Sequence, residues 1–319
     1  MKRDIEPIDL KGIKTSSVDD RLSKVTVAEF AAAWSRGGRF AVFLERLPNV
    51  LAGADLKAVI AAIVNARRKA RPVIFGMGAH VIKVGLSPVV IDLMERGLIT
   101  GVAMNGAGII HDAELAMTGR TSEDVGPALD DGRFGMAKET AAVISSALES
   151  AVAGETSLGR AVGHMLLTSA IPFAAKSILA TGARLGLPVT VHVAIGTDIV
   201  HMHPGFDAAG TGAASHVDFR ILAAQVARLE GGVYLNAGSA VILPEVFLKA
   251  VGLARNLGHR LDAFTTVDLD FIRHYRPTVN VVQRPTARGG RGISLIGHHE
   301  IMLPLIAAGV IEELEEARS

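Results

Sequence analysis

Short apolar runs bounded by glycine, proline or asparagine recur along this chain and alternate with longer helical stretches. The apolar runs are predicted to be buried strands, and they cover residues 71–78, 101–108, 188–195, 233–236, 263–266, 279–282 and 292–296. Helices are predicted over residues 56–68, 88–97, 136–153 and 158–185. Because strands that alternate with helices form parallel sheets with crossover helices on both faces, this pattern predicts a doubly wound α/β fold with a mainly parallel sheet.

The beginning of the chain carries a different pattern. Residues 1–24 are polar and mixed, which favours an extended arm. Thr26 can cap a helix and Glu29 follows three residues later, so a helix is predicted from Thr26 to Gly37. We expect two parts, namely an N-terminal arm and helix over residues 1–50 and a single α/β nucleotide-binding-type domain over residues 51–319.

Composition and charge narrow the class of protein. Hydrophobic residues make up 49% of the chain but aromatic residues only 4%, so the core must be built from aliphatic side chains, as in buried parallel strands. A formal net charge of +1 does not indicate a basic surface that would bind nucleic acid or an anionic membrane. The absence of cysteine excludes disulfides, thiolate catalysis and Cys-ligated zinc. Without an apolar leader or a membrane-length apolar stretch, we expect a cytoplasmic protein.

Small and polar residues cluster where the predicted strands end. In open parallel sheets, ligands bind at the carboxyl ends of the strands, where glycine lets the backbone approach the ligand closely. We therefore expect a small-molecule site there, and the residues predicted to contact a cofactor are Gly76, Gly78, Asn105, Gly106, Ala107, Gly108, Asp198 and Ser239.

Two of these glycine turns are followed by side chains that suit substrate binding. After Gly78, His80 and Lys83 could face an anion, and ligand contact at this turn is favoured over a tight turn without a ligand. Lys83 could equally be a solvated helix residue. After Gly108, His111 could supply acid–base chemistry. Asp112 could instead cap a helix, and Glu114 is expected at the surface.

A third group contains histidines and aspartates close together in the sequence. Asp198, His201 and His203 follow a predicted strand, and His216 and Asp218 come soon after. The two nearest histidines would share a face if the segment were extended, so acid–base catalysis by this group is a candidate. A divalent metal site is the alternative, but the spacing matches no strong metal motif, and a structural role also stays open.

Further polar residues lie near the C-terminus. The loop over residues 284–292 places Arg288 and Arg291 among glycines, a composition that suits a mobile loop closing over a carboxylate or phosphate. A flexible solvated loop is the alternative. Glu245 belongs with the polar residues at strand ends, or caps a helix.

The order of these motifs resembles the deoxyhypusine synthase family, whose members bind NAD on a doubly wound sheet. The resemblance extends over residues 70–310, and the shared order of the motifs carries most of it. The matching segments are Val84-Gly-Leu-Ser-Pro88, the stretch Met104–Asp112 that resembles the family's Thr-Ala-Gly-Gly-x-Glu-Glu-Asp, the dipeptide Thr197-Asp198, the segment Gly238–Glu245, and residues 293–307. This resemblance implies NAD as cofactor, with Asp198 beside it.

The departures from the family bear on the reaction. The family forms an imine through the lysine of a Trp-Gly-Lys motif, and this chain has no such motif. When the motifs are aligned, the family's catalytic histidine corresponds to a position near Pro244, and one of its acidic positions corresponds to His111. An aspartate that contacts the cofactor in the family corresponds to a position near His298, so His298 is added to the residues predicted to contact the cofactor. Without an amine nucleophile, aminobutyl transfer through an imine is not expected.

These observations favour an enzyme that binds NAD or another anionic small molecule, with a reaction other than deoxyhypusine synthesis. A metal-dependent lyase or hydrolase using the histidine group, and a ligand sensor without catalysis, are the alternatives. Because family members build sites between subunits, we also expect a homodimer or homotetramer, with a small-molecule substrate as partner.

Overall fold

The computed structural model of this protein describes residues 5–315, and a six-stranded parallel sheet lies at its centre. Its strands are β1 Val73–Met77, β2 Gly101–Asn105, β3 Val189–His192, β4 Val233–Ala237, β5 Thr265–Asp270 and β6 Arg291–Ile296. Their order across the sheet is β3-β2-β1-β4-β5-β6, and every neighbouring pair is parallel. This is the strand order of doubly wound dinucleotide-binding folds, so the predicted fold class is confirmed.

Helices cover both faces of the sheet. They are α1 Phe40–Glu45, α2 Leu51–Arg68, α3 His80–Lys83, α4 Ser87–Glu95, α5 Gly106–Thr118, α6 Val125–Asp130, α7 Lys138–Ala153, α8 Leu158–Thr168, α9 Ile178–Leu185, α10 Ala208–Val226, α11 Ile242–Asn256, α12 Tyr275–Pro277 and α13 His299–Glu315. Single 3₁₀ turns lie at Val18–Asp20, Val27–Glu29, Ala174–Lys176 and Ile199–Met202, and a π-helix spans Thr278–Gln283.

The two faces of the sheet differ in chemistry. On the first face, the inward side chains of β1 and β6 are apolar and belong to the main core with α2, α4, α5 and α13. The second face lies beneath α10 and α11. Along β3, β4 and β5, the side chains between those that point to the first face point to this second face, and several of them are buried and polar, namely Thr190, His192, Asn236, Asp268 and Asp270. The first face therefore supplies most of the hydrophobic core, whereas the second brings polar groups to the carboxyl end of the sheet.

The strand ends predicted to meet do lie at one edge. Met77 pairs with Met104 and Ala237, while Asn105 pairs with His192. The glycine turns after β1, β2 and β4 therefore leave the sheet at the same carboxyl edge. This is the edge at which the ligand site is predicted.

Two predicted elements in the body of the domain are wrong. The apolar run at residues 279–282 belongs to the π-helix Thr278–Gln283, whose Val281 is buried against the second face. Its backbone carbonyl accepts a hydrogen bond from the Thr266 hydroxyl at 2.7 Å, so the helix covers β5 instead of extending the sheet. The helix predicted over 158–185 is broken into α8 and α9 by a turn that contains Pro172, which cannot donate to a helical ladder.

The N-terminal helix predicted from Thr26 to Gly37 is also wrong. The capping contact exists, since the Thr26 N–H donates to Glu29 Oε2 at 2.8 Å, but the helix ends after the single turn Val27–Glu29. Val27 is 81% exposed and Phe30 is 64% exposed. A short helix with no buried apolar face gains too little to offset the cost of nucleation.

Candidate functional site

A cavity of about 490 Å³ opens at the carboxyl edge of the sheet, on the side of β2 and β3. Its walls come from α3, the first turns of α5, the segment 120–137 and the turn after β3. A volume of this size lies within the range of small-molecule and cofactor pockets. Several predicted site residues line it, namely Lys83, Ala107, His111 and Asp198.

The N-terminus of α5 forms one wall. The Gly108 N–H donates to Oδ1 of Asn105 at 3.1 Å, so Asn105 caps this helix directly after β2. The N–H groups of Gly106 and Ala107 have no acceptor among the described residues. Free amides at a helix N-terminus, together with the helix dipole, form a site that favours anions.

Asp198 lies against this helix start. A methyl group on Gly106 would overlap the Asp198 carboxylate, which explains why glycine is needed at this position. The residue is 9% exposed, and burial raises the pKa of its carboxyl to about 6. The carboxylate is therefore a buried hydrogen-bond acceptor at the border of the cavity.

His201 orients Asp198 and does not face the main cavity. Its Nδ1 accepts hydrogen bonds from the N–H groups of Gly196 (3.0 Å) and Asp198 (3.2 Å), which leaves the proton on Nε2. Nε2 lies 3.8 Å from Oδ2 of Asp198, and both side chains are almost fully buried. His201 lines a small apolar hollow behind Asp198, and burial lowers its pKa.

His203 lies elsewhere. The segment Ile199–Met202 is a 3₁₀ turn, so the expectation that His201 and His203 share one extended face is wrong. His203 Nε2 is hydrogen-bonded to the Gly135 carbonyl oxygen at 2.9 Å. It therefore anchors the segment that closes one side of the cavity, and it does not line the cavity itself.

His111 belongs to a hydrogen-bonded chain on the cavity wall. The Thr121 hydroxyl donates to Oε2 of Glu114 at 2.5 Å and lies 2.7 Å from Nδ1 of His111. Because the hydroxyl proton is directed at Glu114, His111 must donate from Nδ1, and its Nε2 remains an acceptor. Burial lowers the pKa of His111, which keeps the ring neutral near pH 7.

Sequence reasoning missed part of this wall. Glu114 was expected at the surface, but it lines the cavity and also accepts a hydrogen bond from Thr140 at 3.2 Å. Thr121 and Arg120 lie in a loop that carries no motif. Lys83 and Arg120 border the cavity and form no ion pair among the described residues, so two cations are available there.

The point where the strand order reverses lies between β1 and β4. A methyl group on Gly78 would overlap the Gly238 carbonyl oxygen, so the two turns are in close backbone contact. The His80 ring lies beside these turns, with its centroid 5.3 Å from that of His299 and 5.7 Å from that of Phe271. In folds of this kind, a dinucleotide crosses the sheet at this point.

Three other residues that were predicted to contact the cofactor do not line the cavity. Ser239 is buried and its Oγ accepts a hydrogen bond from the Leu243 N–H at 3.1 Å, which stabilises the start of α11. Gly76 lies over the Tyr234 ring, inside the sheet. His298 is exposed, and the buried histidine is its neighbour His299, whose Nε2 bonds the Leu269 carbonyl oxygen at 3.0 Å.

The structure does not bring the arginine loop to the cavity. Arg291 is the first residue of β6 and its guanidinium lies 3.7 Å from Asp55. The turn that contains Arg288 lies before β6, next to Asp262, which precedes β5. Both arginines are thus at the amino edge of the sheet, so the expectation that this loop closes over the ligand is wrong.

The remaining polar candidates lie outside the first cavity. Glu245 in α11 accepts a hydrogen bond from Asn280 at 2.8 Å and pairs with Lys249. Asp112 does cap a helix, but a distant one, since it accepts from the N–H groups of Ile178 (2.8 Å) and Leu179 (3.1 Å). In residues 5–315, no three His, Asp or Glu side chains are grouped where they could hold a metal ion.

Comparisons with known proteins give structural likenesses. No model of a known protein family matches the sequence, and no curated protein sequence matches it. The structure of AgrE in complex with ornithine and NAD⁺ matches 84% of this chain and 34% of its own, with 16% identity and a TM-score of 0.54. ArgZ, an arginine dihydrolase from cyanobacteria, matches 81% of this chain and 31% of its own, with 14% identity and a TM-score of 0.50.

A third structure is of similar length to this chain. It is a proposed deoxyhypusine synthase from Entamoeba histolytica, which matches 88% of this chain and 96% of its own, with 10% identity and a TM-score of 0.50. By contrast, this chain spans about a third of the length of AgrE and ArgZ. In the part of the chain that the structure describes, no helix is long and apolar enough to cross a membrane. At these identities the likenesses show the fold alone, which is the Rossmann-like α/β fold of NAD-binding proteins.

Proposed function

We propose that this protein is an NAD-dependent enzyme whose reaction differs from deoxyhypusine synthesis, and that NAD binds along the carboxyl edge of its sheet. The observation that carries the proposal is the contact of the Asp198 carboxylate with Gly106 at the start of α5, where the N–H groups of Gly106 and Ala107 have no acceptor among the described residues. This places a hydroxyl acceptor and an anion site side by side at the border of one cavity. A dinucleotide offers ribose hydroxyls and phosphates, the two kinds of group that these neighbouring sites suit.

The residues present fit such a cofactor. The free N–H groups of Gly106 and Ala107, with the unpaired ammonium of Lys83 nearby, suit a phosphate. Asp198 suits a ribose hydroxyl, as acidic side chains do in folds of this class. The adenosine half would extend across the reversal point towards His80 and Phe271, which leaves the nicotinamide half in the cavity with His111.

NAD, when bound, supplies a hydride acceptor. Within the cavity, the chain's own contribution is His111, whose free Nε2 can take a proton from a substrate hydroxyl or amine. Thr121 and Glu114 hold the ring in the tautomer that this step needs. The reaction class that these groups support is therefore oxidation of an alcohol or amine, with the substrate proton moving to His111.

Titration calorimetry with NAD⁺ tests the proposal. Replacing Asp198 with Asn removes the charged acceptor but keeps the side chain's shape, so we expect an affinity loss of about tenfold or more, with the melting temperature unchanged or raised. Arg288→Gln, at the opposite edge of the sheet, is the control and should bind as the wild type does. Equal binding by wild type and Asp198→Asn would remove the basis of the proposal.

Two alternatives have weaker support. The metal-dependent lyase or hydrolase was suggested by the histidine group, yet His201, His203 and His216 point to three different places. A sensor without catalysis would bind NAD⁺ but never reduce it. Reduction of NAD⁺ in the presence of candidate alcohols or amines, followed at the absorbance of NADH, separates the enzyme from the sensor.

A further inference from the structure

A second cavity lies on the other face of the sheet and is unrelated to the proposed NAD site. It has a volume of about 360 Å³ and lies between the N-terminal parts of α10 and α11, next to the end of β3. None of the residues that line it lines the first cavity. Much of its surface is apolar, with contributions from Val193, Phe219, Ile242 and Val246.

His192 lies on the wall of this cavity. It is the last residue of β3 and is 4% exposed. Its Nε2 lies 3.0 Å from Oγ1 of Thr190, and the Thr190 hydroxyl donates to the Val102 carbonyl oxygen at 3.3 Å. Because that hydroxyl has only one proton, it must accept from His192, so the imidazole proton is on Nε2.

The other ring nitrogen is therefore a lone-pair acceptor. Burial lowers the pKa of His192 to about 4, which keeps the ring neutral at physiological pH. Nδ1 of His192 has no hydrogen-bond partner among the described residues. It also differs from the buried unpaired atoms of these residues, such as Nδ1 of His299, because it is not completely shielded from solvent. The nitrogen is thus accessible from the cavity that the ring lines.

The other polar groups of this cavity are already bonded. The Ser215 hydroxyl donates to the Val191 carbonyl oxygen at 3.0 Å and accepts from the Val193 N–H at 3.1 Å. The Thr211 hydroxyl donates to the Asp207 carbonyl oxygen at 2.7 Å. Glu245 is held by Lys249 and Asn280, and His216 lies exposed at the rim.

We propose that this cavity is a binding site for an uncharged, mainly apolar small molecule with one hydroxyl or N–H group, which donates a hydrogen bond to Nδ1 of His192. An apolar cavity with one fixed acceptor selects for this class of ligand, because the acceptor stays unpaired when the ligand has no donor. An anion is disfavoured, since it would face both this lone pair and the Glu245 carboxylate.

Matched pairs of probes test the proposal. Binding of phenol, 4-ethylphenol and cyclohexylmethanol is measured by ligand-observed NMR and calorimetry, each beside its methyl ether, in which the donor hydrogen is replaced. We expect the hydroxyl compounds to bind about tenfold more tightly than their ethers. Ethers that bind as tightly as the alcohols, or the failure of every probe to bind at millimolar concentration, would overturn the proposal.

Variants assign the preference to His192. His192→Phe should bind alcohols and ethers with nearly equal affinity, whereas His216→Phe at the rim should keep the wild-type preference. A preference that survives in folded His192→Phe would show that the donor is recognised elsewhere. If His192→Phe does not fold, ¹⁵N spectra of the wild-type imidazole decide, because a protonated Nδ1 contradicts the proposal and a protonated Nε2 that shifts with phenol supports it.

Discussion

At the scale of single residues, Asp198 shows how burial sets the chemistry of the proposed site. Little water reaches its carboxyl, and His201 offers a neutral Nε2–H at 3.8 Å instead of a full counter-charge. Burial therefore raises the pKa of Asp198 to about 6. The group is ionised at neutral pH but loses its charge under mildly acidic conditions.

This shift predicts a pH dependence for NAD⁺ binding. The carboxylate is the stronger acceptor, so affinity should fall by about tenfold as the pH decreases from 7 to 5 and Asp198 becomes protonated. Calorimetry across this range measures the change. In Asp198→Asn the same titration should be flat between these pH values, and a wild-type profile that is already flat would argue against a role for this carboxylate.

Gly106→Ala tests the close contact at the start of α5. The added methyl group would overlap the Asp198 carboxylate, so we expect a loss of roughly 1–3 kcal/mol in unfolding free energy, together with weaker NAD⁺ binding. Gly252→Ala is the control, because it lies within α11 and its new methyl group meets open space. This control should raise stability by roughly 0.5–1 kcal/mol in denaturant titrations, and similar losses in both variants would show that the overlap is unimportant.

Individual site residues differ in how well the sequence predicts them. Asp198 and Asn105 follow buried strands directly, so their place at the carboxyl edge follows from topology. Glu114 depends on Thr121 in a loop without a motif, and no local pattern indicates that contact. His299 and His298 are adjacent, and the start of α13 decides which of the two is buried.

At the scale of elements, buried aspartates connect helices that are distant in the sequence. Asp112 in α5 caps α9, and Asp218 in α10 accepts a hydrogen bond from the Gly159 N–H at 3.1 Å at the start of α8. Burial raises the pKa of Asp218 to about 7, although the hydrogen bond from Gly159 acts in the opposite direction. Each carboxyl therefore fixes the relative position of two helices, but its ionised form is costly to bury.

The raised pKa of Asp218 predicts that stability falls as the pH rises. The folded state favours the protonated carboxyl. The contribution of Asp218 to the free energy of unfolding is therefore complete below the unfolded pKa near 3.8 and is lost as the pH rises through about 7. At ~1.4 kcal/mol per pKa unit, the change is on the order of 4 kcal/mol. Urea unfolding of Asp218→Asn should show a much smaller slope with pH, while Glu149→Gln, on the exposed side of α7, should keep the wild-type slope.

The strands themselves were largely predictable, because their buried apolar runs end in glycine or asparagine. The strand β5, Thr265-Thr-Val-Asp-Leu-Asp270, was only partly identified, since its second face is polar and buried under the π-helix. The run at 279–282 has the composition of a strand, and tertiary packing beneath β5 and α11 decides that it is helical. Local patterns do not contain that information.

At the scale of the whole molecule, the N-terminal arm is the least buried part of the described chain. Ile5, Ile8, Leu22 and Val27 are each more than 80% exposed, and Phe30 and Trp34 are exposed as well. An exposed apolar segment of this length is typical of a surface that binds another chain. We therefore retain the proposal of a homodimer or homotetramer, with the arm contacting a second copy.

Deletion of residues 1–35 tests this role of the arm. The remaining chain keeps α1, whose Leu44 packs into the core, so the domain should still fold. Light scattering should then show a smaller assembly than the full chain forms. A full-length protein that is monomeric at micromolar concentration, or a truncated one with an unchanged mass, would contradict the proposal.

The central claim is that NAD binds at the carboxyl edge of the sheet, beside Asp198 and the start of α5. The most direct test is a crystal structure of the full chain grown with NAD⁺. We predict density for the dinucleotide, with a ribose hydroxyl within hydrogen-bond distance of Asp198 and a phosphate at the N–H groups of Gly106 and Ala107. A saturating concentration of NAD⁺ that leaves this edge without density, or density at another surface, would contradict the claim.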